Sequence, residues 1–268
     1  MPETHDYTDI NGILRRPGSL ILPPSFVCAM PPFEGQPGIP DWTDADIRRE
    51  ISGPDWEDIE KLMPSKKYVK QQHSTSACNT YAAAAGIDAA RFMRGIDDDF
   101  RAAGSFLYTF INNGRDAGSQ LHDALIAGQK HGFASEDLVK WQMIFTRHIP
   151  KAAFAEGLKH KSFKPYRVMT IQGLRTALAL RYMVIVAVQC GKLWDKRSNG
   201  VQGVQPGPGN HAILTRSIKP DGKKFRYPTL NSWGPEFADD GSTDLIDAHF
   251  DGTMPNHAFY AISTTSES

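Results

Sequence analysis

A cysteine, a histidine and an asparagine, in that order and far apart, are the residues of this chain best suited to chemistry. Cys78 opens an Ala-rich stretch in VKQQHSTSACNTYAAAAG, with Gln72 six residues before it. A thiol at a helix N-terminus feels the positive end of the backbone dipole, which favours the nucleophilic thiolate. Asn210-His211-Ala212 begins an apolar run, and Asn231-Ser232-Trp233-Gly234 follows it. A His that takes the thiol proton, and an Asn that fixes its tautomer, complete an activated nucleophile. The chemistry is acyl transfer: attack on an amide carbonyl, a thioester, then hydrolysis. Trp233 would shield the His–Asn hydrogen bond from water. Asn256-His257-Ala258 repeats the histidine tripeptide, but only eleven residues follow His257. The base is therefore assigned to His211 and a structural role to His257.

Taken singly, each residue has an ordinary explanation. Free cysteines are commonly small core residues, and the neighbouring Gln71 shows how common the residue type of Gln72 is. The order of the set carries the argument. VKQQHSTSACNTYA resembles the active-site segment of papain-like cysteine peptidases, in which a Gln precedes the nucleophile by six and a helix follows. GNHAILTRS is similar to that family's His-bearing strand, and LNSWG to its Asn-Ser-Trp-Gly motif. The likeness runs in fragments from about Pro64 to about Ile262, through SFLYTF, HDALIAGQKHGFASED and IQGLRTALALRYMVIVAVQC.

The resemblance implies a cysteine endopeptidase acting on a protein or peptide substrate, without metal or organic cofactor. Its catalytic residues would be Cys78, His211, Asn231 and Gln72, the sulfur lying within about 4 Å of a ring nitrogen. Gly118 and Ser119 would form an edge pairing with the substrate backbone. Leu121, Ala212 and Asn210 would line an apolar pocket for the side chain two before the cut, with Trp233 also against the substrate. The chain departs from the family at Asn79, usually Trp, at Thr75-Ser76-Ala77, where a second Cys and a Gly are usual, and at Leu230, often basic. Ser76 in place of Gly is expected to crowd the cleft floor. Three other readings stand beside the peptidase: an inactive papain-like module used for structure or binding, a cell-wall amidase or endopeptidase, and an amide-forming transferase.

The positioning elements can be read from pattern. A small-residue helix is predicted from Ala77 to about Met93, closing at Gly95, with Ala82, Ala85, Ala89 and Phe92 at helical intervals. Helical segments continue through SFLYTFI, SQLHDALIAGQKHG, PKAAFAEGLKH and IQGLRTALALRY, the last with Ile171, Leu174, Ala177 and Leu178 on one side. Strand signals cluster later, in MVIVAVQC, HAILTRSI, KFRYPTL and HAFYAIS. Helices first and antiparallel strands later imply an α+β protein. The resemblance implies the same: a helical lobe with the Cys, a β lobe with His and Asn, and a cleft between. DLIDAHFDG fits no calcium or zinc pattern and reads as a solvated loop, and DDDF at 97–100 as a helix end or turn.

The chain has 268 residues, 40% of them hydrophobic, enough for one large domain or two lobes. Lys plus Arg and Asp plus Glu are balanced at 30 each, which argues against nucleic acid or anionic lipid as partner. MVIVAV is too short to span a bilayer, no secretion signal is seen, and three cysteines (28, 78 and 190) argue against a disulfide framework. A cytoplasmic or other non-secretory compartment is expected. Seven prolines between Pro17 and Pro40 exclude a long helix there, and TDADIRREIS follows as a short one with Thr43 as cap. Residues 1–53 thus read as a Pro-rich arm and 54–268 as the peptidase domain. The arm is shorter than the family's usual pro-segment. Packing on the domain surface or docking a protein partner is its expected role, covering the cleft the alternative.

Overall fold

The computed structural model describes residues 6–9, 12–20, 30–54, 56, 62–96, 98–161, 163–254 and 259–264. Seven helices lie among them: α1 Asp44–Ile51, α2 Ser65–Tyr68, α3 Cys78–Met93, α4 Gly104–Ile111, α5 Leu121–His131, α6 Lys151–Gly157 and α7 Ile171–Ala179. Two short strands, β1 Tyr7–Thr8 and β2 Leu14–Arg15, pair in the arm. The other strands are β3 Phe163–Val168, β4 Met183–Val188, β5 His211–Thr215, β6 Lys219–Asp221, β7 Lys224–Leu230, β8 Ser242–Leu245 and β9 Phe259–Thr264. They form one antiparallel sheet in the order β3-β9-β4-β5-β7-β6, with β8 also on β7.

Helix α3 is the axis of the molecule. It is buried from Cys78 to Arg91, and its alanines let neighbours approach closely. At Gly86 a methyl group would stand only 3.0 Å from Ile262 Cδ1. The helix ends where Gly95 takes φ +77 and donates its N–H to the Phe92 carbonyl, a left-handed step that suits glycine. One side of α3 faces α4 and α5, giving a helical core with Phe106, Leu107, Leu125 and Phe133. The other side packs on β4, β5 and β9.

The sheet carries a core on each face, and β4 shows why. Met183 and Ile185 point into the α3 core, while Val184, Val186 and Val188 point into a second core with Leu174, Ala177 and Leu178 of α7. Strand β3 has Pro165 in its middle and was not foreseen. It lies at the sheet edge, where a residue without an N–H is tolerated. β8 was missed as well, its four residues being too short for a visible alternation. DLIDAHFDG is not the solvated loop expected. Asp244 and Leu245 end β8, Asp247 pairs with Arg175 at 2.9 Å, and the buried His249 shares hydrogen bonds with the Ile246 and Gln202 backbone. DDDF holds Asp98, which pairs with Arg91 at 2.7 Å.

The arm corrects its expected role. Rather than only packing on the domain surface, its later part is built into the sheet-side core. Phe33 is fully buried there with Ile47 and Ile51. Glu34 accepts the Thr170 N–H at the head of α7, and α1 starts with a capping box in which Thr43 and Asp46 bond reciprocally. The earlier part, Arg15–Leu20, crosses the groove at the head of α3. Cys28 and His257 lie outside the described residues. No helix among the described residues is long and apolar enough to cross a membrane.

Candidate active site

Three element ends lie near one another. Cys78 is the first residue of α3, His211 the first of β5, and Asn231 follows the last residue of β7. β5 and β7 are paired, with Leu214 opposite Leu230, and this register brings His211 and Asn231 together although they are twenty residues apart. His211 Nε2 lies 2.8 Å from Asn231 Oδ1. The amide oxygen can only accept, so Nε2 carries the proton and Nδ1 holds the free lone pair. Trp233 covers the ring from 4.6 Å, nearly parallel.

The Gln72 loop is tied to the same motif. Ser232 Oγ donates to Gln72 Oε1 at 2.6 Å, and the Gln72 N–H donates to the Ser232 carbonyl at 2.8 Å. With its oxygen engaged, Gln72 turns its Nε2 to the Thr75 and Arg16 carbonyls, at 2.6 and 3.2 Å. His73 next to it sits at φ +52, a strained value for a non-glycine residue and one concentrated at functional sites. Neither Ser232 nor Thr75 was given a role from sequence. Ser232 lay inside the best motif, and only the long-range contact to Gln72 reveals its part.

The cleft is occupied by the chain's own arm. Ser119 donates its N–H to the Gly18 carbonyl and accepts from the Leu20 N–H, each at 2.8 Å. On the facing side the Ser19 N–H donates to the Asn210 carbonyl at 2.9 Å. An extended peptide is thus held by backbone on both edges, directly over the thiol. Ser76, expected to crowd the floor, contributes its carbonyl there, and the glycine required by the close approach stands on the arm instead. A Cβ on Gly18 would fall 1.9 Å from Ser76 O, and one on Gly118, at φ +82, 2.4 Å from Gly18 O. Arg15 lies over the Trp233 ring at 4.9 Å and pairs with Asp9 at 2.7 Å, both side chains almost completely buried.

The remaining predicted residues are placed as follows. Leu121 and Ala212 are buried in the helical core. The Asn210 side chain bonds both backbone groups of Cys190, at 2.8 and 3.1 Å, and its carbonyl accepts from the arm. Leu230 is a core residue. His211 Nδ1 has no hydrogen-bond partner, and the Cys78 thiol faces Asn79 Oδ1 at 3.9 Å.

Burial sets the charge state of both groups. With the arm overhead, desolvation pushes the Cys78 thiol up to about 11, against backbone N–H groups of Ala212 and Gly18 that pull it down. Desolvation likewise brings His211 down to about 4, opposed by its bond to Asn231. Both groups are neutral at pH 7 in this closed arrangement. No cluster of His, Cys, Asp or Glu fit to hold a metal occurs among the described residues.

The fold is that of papain-like cysteine proteases. Xylellain, a cysteine protease from Xylella fastidiosa, superposes with a TM-score of 0.62 at 19% identity, over 74% of this chain and 82% of its own. Procathepsin B S9 from Trypanosoma congolense gives 0.64 at 13%, over 94% and 86%. The proform of Amb a 11, a cysteine protease allergen of ragweed pollen, gives 0.61 at 20%, over 87% and 68%. No family model and no curated protein sequence matches the chain.

Proposed function

We propose that this protein is a cysteine peptidase that hydrolyses peptide bonds through Cys78, His211, Asn231 and Gln72, and that its N-terminal arm holds the site closed. One observation carries the reading: an extended peptide lies across the thiol, paired by backbone on both walls, with its Arg16 carbonyl at the Gln72 amide. A groove that binds peptide backbone beside a cysteine and an oriented imidazole is suited to acyl transfer from peptides.

When a substrate replaces the arm, the Cys78 proton passes to His211 Nδ1 and the sulfur attacks the carbonyl carbon. The carbonyl π electrons move to oxygen, which Gln72 Nε2 and the Cys78 N–H stabilise. The tetrahedral adduct collapses, the C–N bond breaks, and His211 gives its proton to the leaving amine. Water, deprotonated by His211, then releases the acid from the thioester. Asn231 keeps Nε2 protonated throughout, so that Nδ1 is always the working nitrogen.

The arm's direction would protect it from cleavage. On the peptidase reading, residues before the cut occupy the Ser119 edge. The arm reaches that edge with Gly18–Leu20, after its Arg16 carbonyl rather than before it. The nitrogen following that carbonyl therefore points away from the leaving-group side.

The neutral thiol and the unpaired Nδ1 favour a second reading, an inactive module of the same fold. Alkylation separates the two. Iodoacetamide at pH 7 should label Cys78 slowly in the full chain. In Gly18→Ala, whose methyl group cannot fit against Ser76, labelling should be at least tenfold faster and accompanied by hydrolysis of a denatured protein. His211→Ala should remove the gain. A Gly18→Ala protein that labels quickly yet cuts nothing would decide for the inactive module.

A further inference from the structure

Asn79 stands beside the nucleophile where the resemblance leads one to expect Trp, and its side chain is fully used. It is completely buried. Its Nδ2 donates to the Ser119 carbonyl at 2.6 Å and to Ser119 Oγ at 3.2 Å, while Oδ1 faces the Cys78 thiol at 3.9 Å. Ser119 is also the residue whose N–H and carbonyl pair with the arm. Its carbonyl oxygen has two lone pairs, so it serves Asn79 and a peptide N–H together. The residue next to it is tied elsewhere: the Gly118 N–H donates to Tyr108 Oη, which donates to Asp116, each at 3.0 Å. An indole has one donor and no acceptor, so it could not face both the edge and the thiol as the carboxamide does.

We propose that Asn79 is a positioning residue that fastens the peptide-binding edge at Ser119 to the head of the nucleophile's helix, fixing a bound backbone in register with the sulfur. This deepens the peptidase reading and rests on it. The effect belongs to extended ligands: a small electrophile needs only the thiol, whereas a peptide needs edge and thiol at a set separation.

The test compares two alkylating agents on the full chain carrying Gly18→Ala, so that the cleft is uncovered. One is iodoacetamide, the other a peptidyl chloromethyl ketone with at least two residues before its reactive carbon. Removing one hydrogen bond to the edge should slow the peptidyl reagent about tenfold in Asn79→Ala. The iodoacetamide rate should change less than the peptidyl rate, so that their ratio falls, because the thiol loses only the Asn79 Oδ1 contact at 3.9 Å. Asn79→Asp keeps the shape and loses the donor. It should show the same fall in the ratio of peptidyl to iodoacetamide rates, and the pH profiles of both reagents should move to higher pH because a carboxylate now faces the thiol. If both variants keep the parent's ratio of peptidyl to iodoacetamide rates, the proposal is wrong. It is equally wrong if both variants lose cooperative melting, since Asn79 would then be a core residue first. A parent with no preference for the peptidyl reagent would overturn the peptidase reading itself, and this inference with it.

Discussion

At the scale of single residues, the site is a set of carboxamides and hydroxyls that leave each reactive atom one option. Asn231 accepts from Nε2 and so frees Nδ1, and Ser232 occupies Oε1 of Gln72 and so aims its Nε2. On the proposed mechanism, Ser232 would act through Gln72 without touching substrate. Ser232→Ala should lower kcat about tenfold with KM nearly unchanged, because the oxyanion donor is only loosened. Gln72→Ala, which removes it, should cost about a hundredfold or more. Steady-state kinetics on the Gly18→Ala background reads both. Equal losses in the two variants would mean that Ser232 does more than hold Gln72.

At the scale of elements, the site depends on the Gln72 loop being fixed to α3, and Lys70 does this. Its ammonium is buried and lies 2.6 Å from Asp88 in the middle of α3 and 3.1 Å from Glu136, and it also donates to the Ala102 carbonyl. Burial opposes its charge, but the two carboxylates outweigh this and hold the ammonium above its ordinary range. Removing one partner of such a pair strands the other charge in the core. Lys70→Ala should therefore cost about 3–5 kcal/mol of stability, measured by urea unfolding; a loss under about 1 kcal/mol would show that water reaches Asp88. Nothing in VKQQHST marks this lysine as buried, since its partners lie 18 and 66 residues away. The same limit separates what could be read from what could not. The Cys78 helix, β4, β5 and β7 declare themselves through local periodicity, and Cys78, His211 and Asn231 through their motifs. The edge strand β3 hid behind Pro165, and the use of Asn79, Ser232 and the Asn210 side chain depends on neighbours distant in sequence.

At the scale of the whole molecule, closure should depend on pH in a way that follows from the two buried groups. Cys78 is raised to about 11 from an ordinary 9.0, so its contribution to the closed form is full below pH 9 and fades as pH climbs toward 11. His211 is lowered to about 4 from 6.5, so its contribution is full above pH 6.5 and fades as pH falls through 4. The arm should therefore sit tightest between about pH 6.5 and 9. Amide hydrogen exchange at Ser19 and Leu20, corrected for intrinsic rates, should be slowest in that window and faster on both sides. Protection that rises steadily toward acid would contradict this account. The anchoring of Phe33, Glu34 and Ile47 in the sheet lobe has a further consequence. The segment over the thiol is a ligand on a leash, present at an effective concentration of order millimolar however dilute the protein becomes. A rival peptide must beat that local supply rather than any bulk affinity, and once the rival departs, the leash returns its own occupant without a second molecule being needed.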